Sequence, residues 1–272
     1  MLPENYVTCS ISGRLGNNMF MVANAYSKAL DFGREFFIYK PHLIYTNHDG
    51  VIRDYSKTIF RNFEFMDVWE EGKMVVNPPY PPLDKPTSYM GYFQNEEYFI
   101  LHKKEILDKY RIPEEFKLRL FLELPFLFTN KQITVINVRR GDYLLYPNYH
   151  PVLSKEYIYE ACKLIPQTEE YLIMSDDMQW CHENIVFPNA RYLNHGYSPE
   201  EQLWIMSLCN HFIISNSSFS WWGAYLSEAP NKTIVAPETW FGPEHTQEWK
   251  HIYCKEWIIF PSKFENGKIL PK

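Results

Sequence analysis

The sequence predicts an α/β protein made of two units, each built on a parallel sheet. Three observations carry this. From Gln132 onward, short β-prone runs alternate with helical stretches at βαβ spacing. The chain also opens as strand, turn-rich loop and helix. Finally, its most motif-like polar loops fall where predicted strands end, which is where open α/β sheets bind ligands.

Each element has a local reason. Tyr6 to Ile11 is a β-prone run, and Ser12 to Asn18 is rich in turn formers. Met19, Val22, Ala23, Tyr26, Ala29 and Leu30 then repeat at helical spacing and mark one buried helix face. Val76 to Pro86 holds five prolines and predicts an extended connection. Glu96 to Tyr110 and Glu114 to Leu124 predict helices. We place the domain boundary in 125–131, giving an N-terminal unit 1–128 and a C-terminal unit 129–272, with the last segment free to pack back on the first. In the second unit, strands are expected at 133–138, 171–174, 212–214 and 232–235. Helices are expected at about 154–164, 198–209 and 219–226. Ser198-Pro199-Glu200-Glu201 is a capping box with proline at the first helical position.

Composition excludes several functions. Lys plus Arg is 27 and Asp plus Glu is 33, a net charge of −6. No dense basic stripe offsets it, so nucleic acid is not an expected partner. No stretch reaches the roughly 18 apolar residues of a membrane helix, and MLPENYVTCS lacks the pattern of a secretory leader. Five widely spaced cysteines without a CxxC fit a reducing compartment. A cytoplasmic location follows, with peripheral attachment to the inner membrane face compatible with it.

Three loops carry the chemistry. Asn137-Val138-Arg139-Arg140-Gly141-Asp142-Tyr143 sets two guanidiniums at a strand end, a group suited to bidentate anion binding. Its bland reading is an arginine paired with Asp142. Ser175-Asp176-Asp177 offers carboxylates for guanine N–H groups or ribose hydroxyls, or simply a helix cap. Ser215 to Ala224 places Ser217, Ser218 and Ser220 at a helix start, an anion cradle of N–H and hydroxyl groups. Together they describe a nucleotide-diphosphate pocket. No P-loop lysine motif, no Asp-x-Asp clamp and no convincing metal spacing occur; Cys181-His182 and Cys209-x-His211 read as packing residues.

These loops resemble the motifs of the inverting, GDP-fucose-dependent α-1,2-fucosyltransferases of glycosyltransferase family 11. Gly13 to Phe20 is similar to that family's opening G-x-L-G-N-Q-x-F loop. Val138 to Tyr143 resembles its H-x-R-R-G-D-Y motif, Ser175-Asp176-Asp177 its S-D-D element, and Asn216 to Leu226 its N-S-S-F-S-W-W-G-A-W-L signature. The likeness runs from residue 12 to about residue 240. Asn137 stands where the family has histidine, Asn18 where it has glutamine, and Tyr225 where it has tryptophan.

The resemblance implies a GT-B type fold, two Rossmann-like domains facing across a cleft, with GDP-fucose on the C-terminal domain and a glycan acceptor on the N-terminal one. It implies inversion, an α-1,2 linkage to a terminal galactose, and no cofactor or metal. The acceptor class is an oligosaccharide or lipid-linked glycan. Arg139, Arg140 and Asp142 are the expected catalytic residues. Gly13, Gly16, Asn17, Asn137, Arg139, Arg140, Asp176, Asp177, Ser217 and Ser218 are the expected donor-binding residues. The resemblance favours Arg140 for the phosphates; Asp177 is the choice for guanine, with Asp176 the alternative, and the sequence does not separate either pair. Asp142 is the first candidate for the base. Two rivals stand beside this reading: another sugar nucleotide on the same scaffold, and a non-catalytic sugar-binding protein. Aromatic residues make up 17% of the chain; Tyr143, Trp240 and Phe241 are the ones expected to touch sugar, while Phe219, Trp221 and Trp222 are expected to pack.

Overall fold

The computed structural model describes residues 5–46, 50–68, 73–75, 86–194, 196–246 and 249–265. The chain divides into two compact units, Met1–Arg111 and Ile112–Lys272. The proline-rich connection lies outside the described residues, apart from Pro86.

In the first unit, β1 (Val7–Cys9) leads into α1 (Leu15–Asp31), followed by β2 (Phe37–Tyr39) and the hairpin of β3 (Ile44–Thr46) and β4 (Ile52–Asp54). Next come β5 (Glu64–Met66), β6 (Lys73–Val75), β7 (Thr87–Tyr89) and α2 (Lys103–Tyr110). The ladders β1-β7-β6 and β2-β5 are parallel, and a Val7–Phe36 bridge joins them. The order is therefore β6-β7-β1-β2-β5. The helix α1 starts four residues earlier than its apolar stripe announces, so Gly16, Asn17 and Asn18 form its first turn rather than a loop. Nor is Glu96–Tyr110 one helix. Asn95 caps a 3-10 turn at Glu96–Tyr98 through the Glu97 N–H. Phe99, at φ −145° and ψ 7°, then leaves helical geometry before a second turn and α2.

The second unit begins with α3 (Glu114–Glu123), then β8 (Ile133–Val138), α4 (Lys155–Cys162), β9 (Glu170–Ser175), α5 (Met178–Asn184) and β10 (Ala190–Tyr192). Then follow α6 (Pro199–Ser207), β11 (His211–Ile213), α7 (Ser218–Tyr225), β12 (Ile234–Pro237) and β13 (Ile258–Phe260). The sheet order is β10-β9-β8-β11-β12-β13, and every pairing is parallel. All six residues of β8 are buried, as a parallel strand covered on both faces requires. Ile136, Ile173 and Ile213 of neighbouring strands pack with Tyr157, Ile158 and Ala161 of α4.

The division at Arg111/Ile112 leaves α3 with the second unit, where sequence reading put it in the first. Phe116 of α3 meets Trp204 of α6, with ring centroids 5.5 Å apart, and Arg119 pairs with Glu201. The short β10, α5 and β13 are elements that sequence periodicity did not announce. The two strands have three residues each, too few to show a period, and tertiary pairing sets them; α5, seven residues long, is started by its Asp177 cap.

The capping box forms as expected. Ser198 Oγ accepts from the Glu201 N–H, and Glu201 accepts from the Ser198 N–H at 2.8 Å. Replacing Ser198 by Ala should lower stability by about 1 kcal/mol, read as an earlier urea midpoint at unchanged slope. An unchanged midpoint would show that the cap contributes nothing.

Candidate active site

The strand order of the second unit fixes where a ligand can sit. The chain runs outward from β8 to β10, then returns to the other side of β8 as β11. Loops leaving β8 and β11 therefore diverge and open a crevice at their carboxyl ends. Both the arginine loop and the serine loop leave from there, and the Ser175-Asp176-Asp177 loop leaves from the adjacent β9.

The two arginines take different partners. Arg139 pairs with Asp142 and, through Nη1 at 2.7 Å, with Asp176; it lies 5.2 Å from the Tyr143 ring centre. Burial opposes its charge, but Asp176, Tyr143 and Asp142 outweigh that and hold its pKa above the ordinary guanidinium value. Its side chain stays 21% exposed. Arg140 is more enclosed, at 8%. Its Nε donates to Asp177 Oδ2 at 2.9 Å, its Nη1 to Glu265, and its guanidinium lies 4.1 Å from the centre of the Trp180 ring. Its backbone N–H donates to Asp176 Oδ1 at 2.9 Å.

The carboxylates of the Ser-Asp-Asp loop are thus structural at their first contacts. Asp176 ties Arg139 to the Arg140 backbone. Asp177 caps α5, accepting from the Trp180 N–H at 3.1 Å, while its own N–H donates to Ser175 Oγ. Gly141 makes this approach possible: a Cβ there would stand 2.4 Å from Asp176 Oδ2.

The serine loop is ordered from below. Ser217 caps α7 by accepting from the Phe219 N–H at 3.3 Å. Ser215 and Ser220 hydroxyls lie 2.8 Å apart, Ser220 donates to Asn137 Oδ1, and Asn137 Nδ2 donates to the Met174 carbonyl at 3.4 Å. Asn137 is therefore a buried strut between β9 and α7. Asn216 Nδ2 donates to the Pro151 and Trp240 carbonyls at 3.1 and 2.9 Å, gathering three loops. A cavity of about 10 Å³ lies beneath, lined in part by Asn137, Arg139, Ile213 and Ser215. That is room for about one water.

The second unit thus brings together Asn137, Arg139, Arg140, Asp142, Asp176, Asp177 and Ser217, with Ser218 next to the cap. Gly13, Gly16 and Asn17 belong to the first unit and form a separate locus after β1. Gly13 takes φ +78°, and a Cβ there would meet Asn17 Nδ2 at 2.8 Å. Asn17 Oδ1 accepts from Gln94 Nε2 at 2.8 Å, linking the first turn of α1 to the loop after β7.

The aromatic expectations divide. Trp221 and Trp222 are fully buried, and Trp221 Nε1 donates to the Ile252 carbonyl at 2.8 Å. Tyr143 is not a surface for sugar. It is buried, donates to the Asn216 carbonyl at 3.0 Å, and burial pushes its phenol up to about 12. Trp240 is likewise buried. Phe241 is partly exposed and stacks on His245 at 3.9 Å. The exposed aromatics of this region are Tyr146 and Tyr149. Sequence reasoning also missed His150, stacked on Tyr143 at 4.3 Å, and Glu265, which no local signal marks. Of the two suspected packing histidines, His211 is buried and its Nδ1 accepts from the Thr233 N–H, whereas His182 is exposed and lies against the Tyr192 ring.

The family model described as Glycosyl transferase family 11 matches residues 4–260. The chain belongs to this family. It is a fucosyltransferase-like glycosyltransferase, and its relatives are of that kind. It is 26% identical to an alpha-1,2-colitosyltransferase of Escherichia coli, over 88% of this chain and 93% of that protein. It is 34% identical to the O-antigen biosynthesis glycosyltransferase WbnK of Escherichia coli, over 56% of this chain and 54% of that protein. It is 24% identical to galactoside alpha-(1,2)-fucosyltransferase 2 of Oryctolagus cuniculus, over 89% and 76%. Among solved structures it resembles the NodZ alpha-1,6-fucosyltransferase co-crystallized with GDP, with TM-score 0.50 and 14% identity over 82% of this chain and 91% of that one. It also resembles a family 9 glycosyl transferase from Veillonella parvula, with TM-score 0.51 and 12% identity over 95% and 86%. At these identities the likeness establishes the fold, which is of GT-B type: two α/β units on parallel sheets. Among the described residues no helix is long and apolar enough to cross a membrane.

In this family 11 chain, Gly141 separates the arginine pair from Asp142 and gives Asp176 its space. Gly141→Ala should push the Asp176 carboxylate off Arg139, lowering transferase turnover at least tenfold at a stability cost of about 1–3 kcal/mol. Turnover measured beside a thermal melt checks this, and wild-type turnover would disconnect Asp176 from the site.

Proposed function

We propose that this chain transfers L-fucose from GDP-β-L-fucose to a glycan hydroxyl, O2 of a terminal galactose, inverting the anomeric centre without a metal ion. One observation carries the reading: an arginine pair and a serine-rich helix start lie together at the β8/β11 crevice. That set suits a diphosphate leaving group flanked by neutral hydroxyl chemistry.

The chemistry follows from the charge that must be stabilised. In-line attack by the acceptor hydroxyl expels GDP, and negative charge grows on the β-phosphate as the sugar gains oxocarbenium character. We assign the phosphate contact to Arg139 and not to Arg140. Arg139 keeps a fifth of its side chain at the surface, whereas Arg140 is enclosed by Asp177, Glu265 and Trp180. Ser217, Ser218 and the first N–H groups of α7 add neutral donors. A diphosphate arriving at Arg139 competes with Asp142 for the same guanidinium, and a released Asp142 is placed to take the hydroxyl proton. Asp177 and Asp176 retain further lone pairs for guanine. The carboxylates' ties to arginine leave them poorly suited as metal ligands, which supports metal independence.

A second reading concerns the sugar. One relative that spans most of both chains is named for colitose, so a deoxysugar other than fucose is the competing donor. The acceptor is a glycan, free or lipid-linked, and we place the reaction in the cytoplasm. All five cysteines are free, and four are buried, in keeping with a reducing compartment.

Incubation with GDP-fucose and a panel of galactosides should give an α-1,2-fucosylated product by NMR; turnover of only another sugar nucleotide would sink the fucose assignment. Arg139→Ala should cut kcat about 10²–10³-fold while the fold persists. Near-wild-type turnover in that variant would remove Arg139 from the phosphate site.

A further inference from the structure

The tail of the chain reaches back to the site. Beyond β13, Phe264 forms an antiparallel bridge with Leu153, Ser154 N–H donates to the Lys263 carbonyl at 2.8 Å, and Glu265 N–H donates to the Val152 carbonyl at 3.1 Å. Lys263 Nζ also pairs with Glu160 of α4. These bonds lay residues 263–265 along 152–154, the segment that follows the arginine loop and precedes α4. At the end of this strap, the Glu265 carboxylate meets Arg140 Nη1 across 125 positions of sequence.

Arg140 is the residue on which the loop geometry turns. Its guanidinium is nearly enclosed, and an enclosed cation needs carboxylate partners to offset its lost hydration. Asp177 supplies one from the cap of α5, and Glu265 supplies the other from the tail. The backbone N–H of Arg140 holds Asp176, and Asp176 holds Arg139. The chain of contacts therefore runs Glu265, Arg140, Asp176, Arg139. Glu265 lies outside residues 4–260, the span of the family match.

We propose that Glu265 is a positioning residue for the donor site, fixing Arg140 and through it the arrangement of Arg139. This rests on the reading that the β8/β11 crevice binds a nucleoside diphosphate. Glu265 touches no substrate; it acts by holding Arg140 in the one orientation that leaves Asp176 free to hold Arg139.

The test is GDP affinity by calorimetry on the full chain, with kcat and donor KM measured alongside. Glu265→Ala should weaken GDP binding about tenfold, the scale on which couplings through packed polar networks act. Glu265→Asp should recover most of the loss, and the isosteric Glu265→Gln, which keeps the shape and removes the charge, should fall between. Lys263→Ala breaks the Glu160 pair without touching Arg140 and should bind GDP as the wild type does. Wild-type affinity in Glu265→Ala would overturn the proposal. Equal losses in Glu265→Ala and Lys263→Ala would overturn it too, because the strap and not the carboxylate would then be responsible. If the folded wild-type chain itself bound no GDP, the nucleotide reading would fail, and this proposal with it.

Discussion

Much of the second unit's architecture answers to one constraint: two guanidiniums side by side at the end of a buried strand. β8 is covered on both faces, and the arginine side chains that follow it are only 21% and 8% exposed. Two like charges there would repel, and each would lose hydration. Four carboxylates resolve this. Asp142 and Asp176 attend Arg139, while Asp177 and Glu265 attend Arg140. These carboxylates come from the arginine loop itself, from the neighbouring strand's loop and from the chain's tail. The same ion pairs that solvate the arginines thus also register three segments against each other.

The serine loop is built by a different device. Asn216 donates to carbonyls of two other loops, and Tyr143 donates to the Asn216 carbonyl. These are neutral, buried hydrogen bonds, each modest alone but costly to leave unmade. They hold the start of α7 beside the arginines without adding charge. The site therefore has an ionic half anchored by carboxylates and a neutral half anchored by backbone carbonyls. A sugar diphosphate has the same division, with charge at the phosphates and hydroxyls at the sugar.

The aromatic excess has a structural explanation. Trp221 stacks on Tyr225 at 4.4 Å and contacts Trp222 and Trp257, and in the first unit Tyr26, Phe36, Phe60, Phe63 and Tyr110 form a similar cluster. Large rings fill the space between short helices and short strands, which cannot bury enough area with small side chains. The polar loops, and not the aromatic content, distinguish this chain as a glycosyltransferase.

Local sequence determined a good deal. The strand 133–138, the capping box at Ser198, the helix start at Ser218 and the three polar loops are legible because each is written in contiguous residues with a short-range physical cause. Tertiary structure decided the rest, because its causes are not contiguous. The short β10 and β13 exist only through pairing with neighbouring strands. Helix α3 joins the second unit through Phe116 on Trp204. Asp177 caps α5 and holds Arg140, a double use that spacing alone does not reveal. Adjacent arginines are equivalent in a sequence; their different exposure follows from which carboxylates the fold delivers to each. Glu265 is the clearest case, a lone glutamate near the chain's end whose partner lies 125 positions away, because electrostatic pairing depends on distance in space and not along the chain.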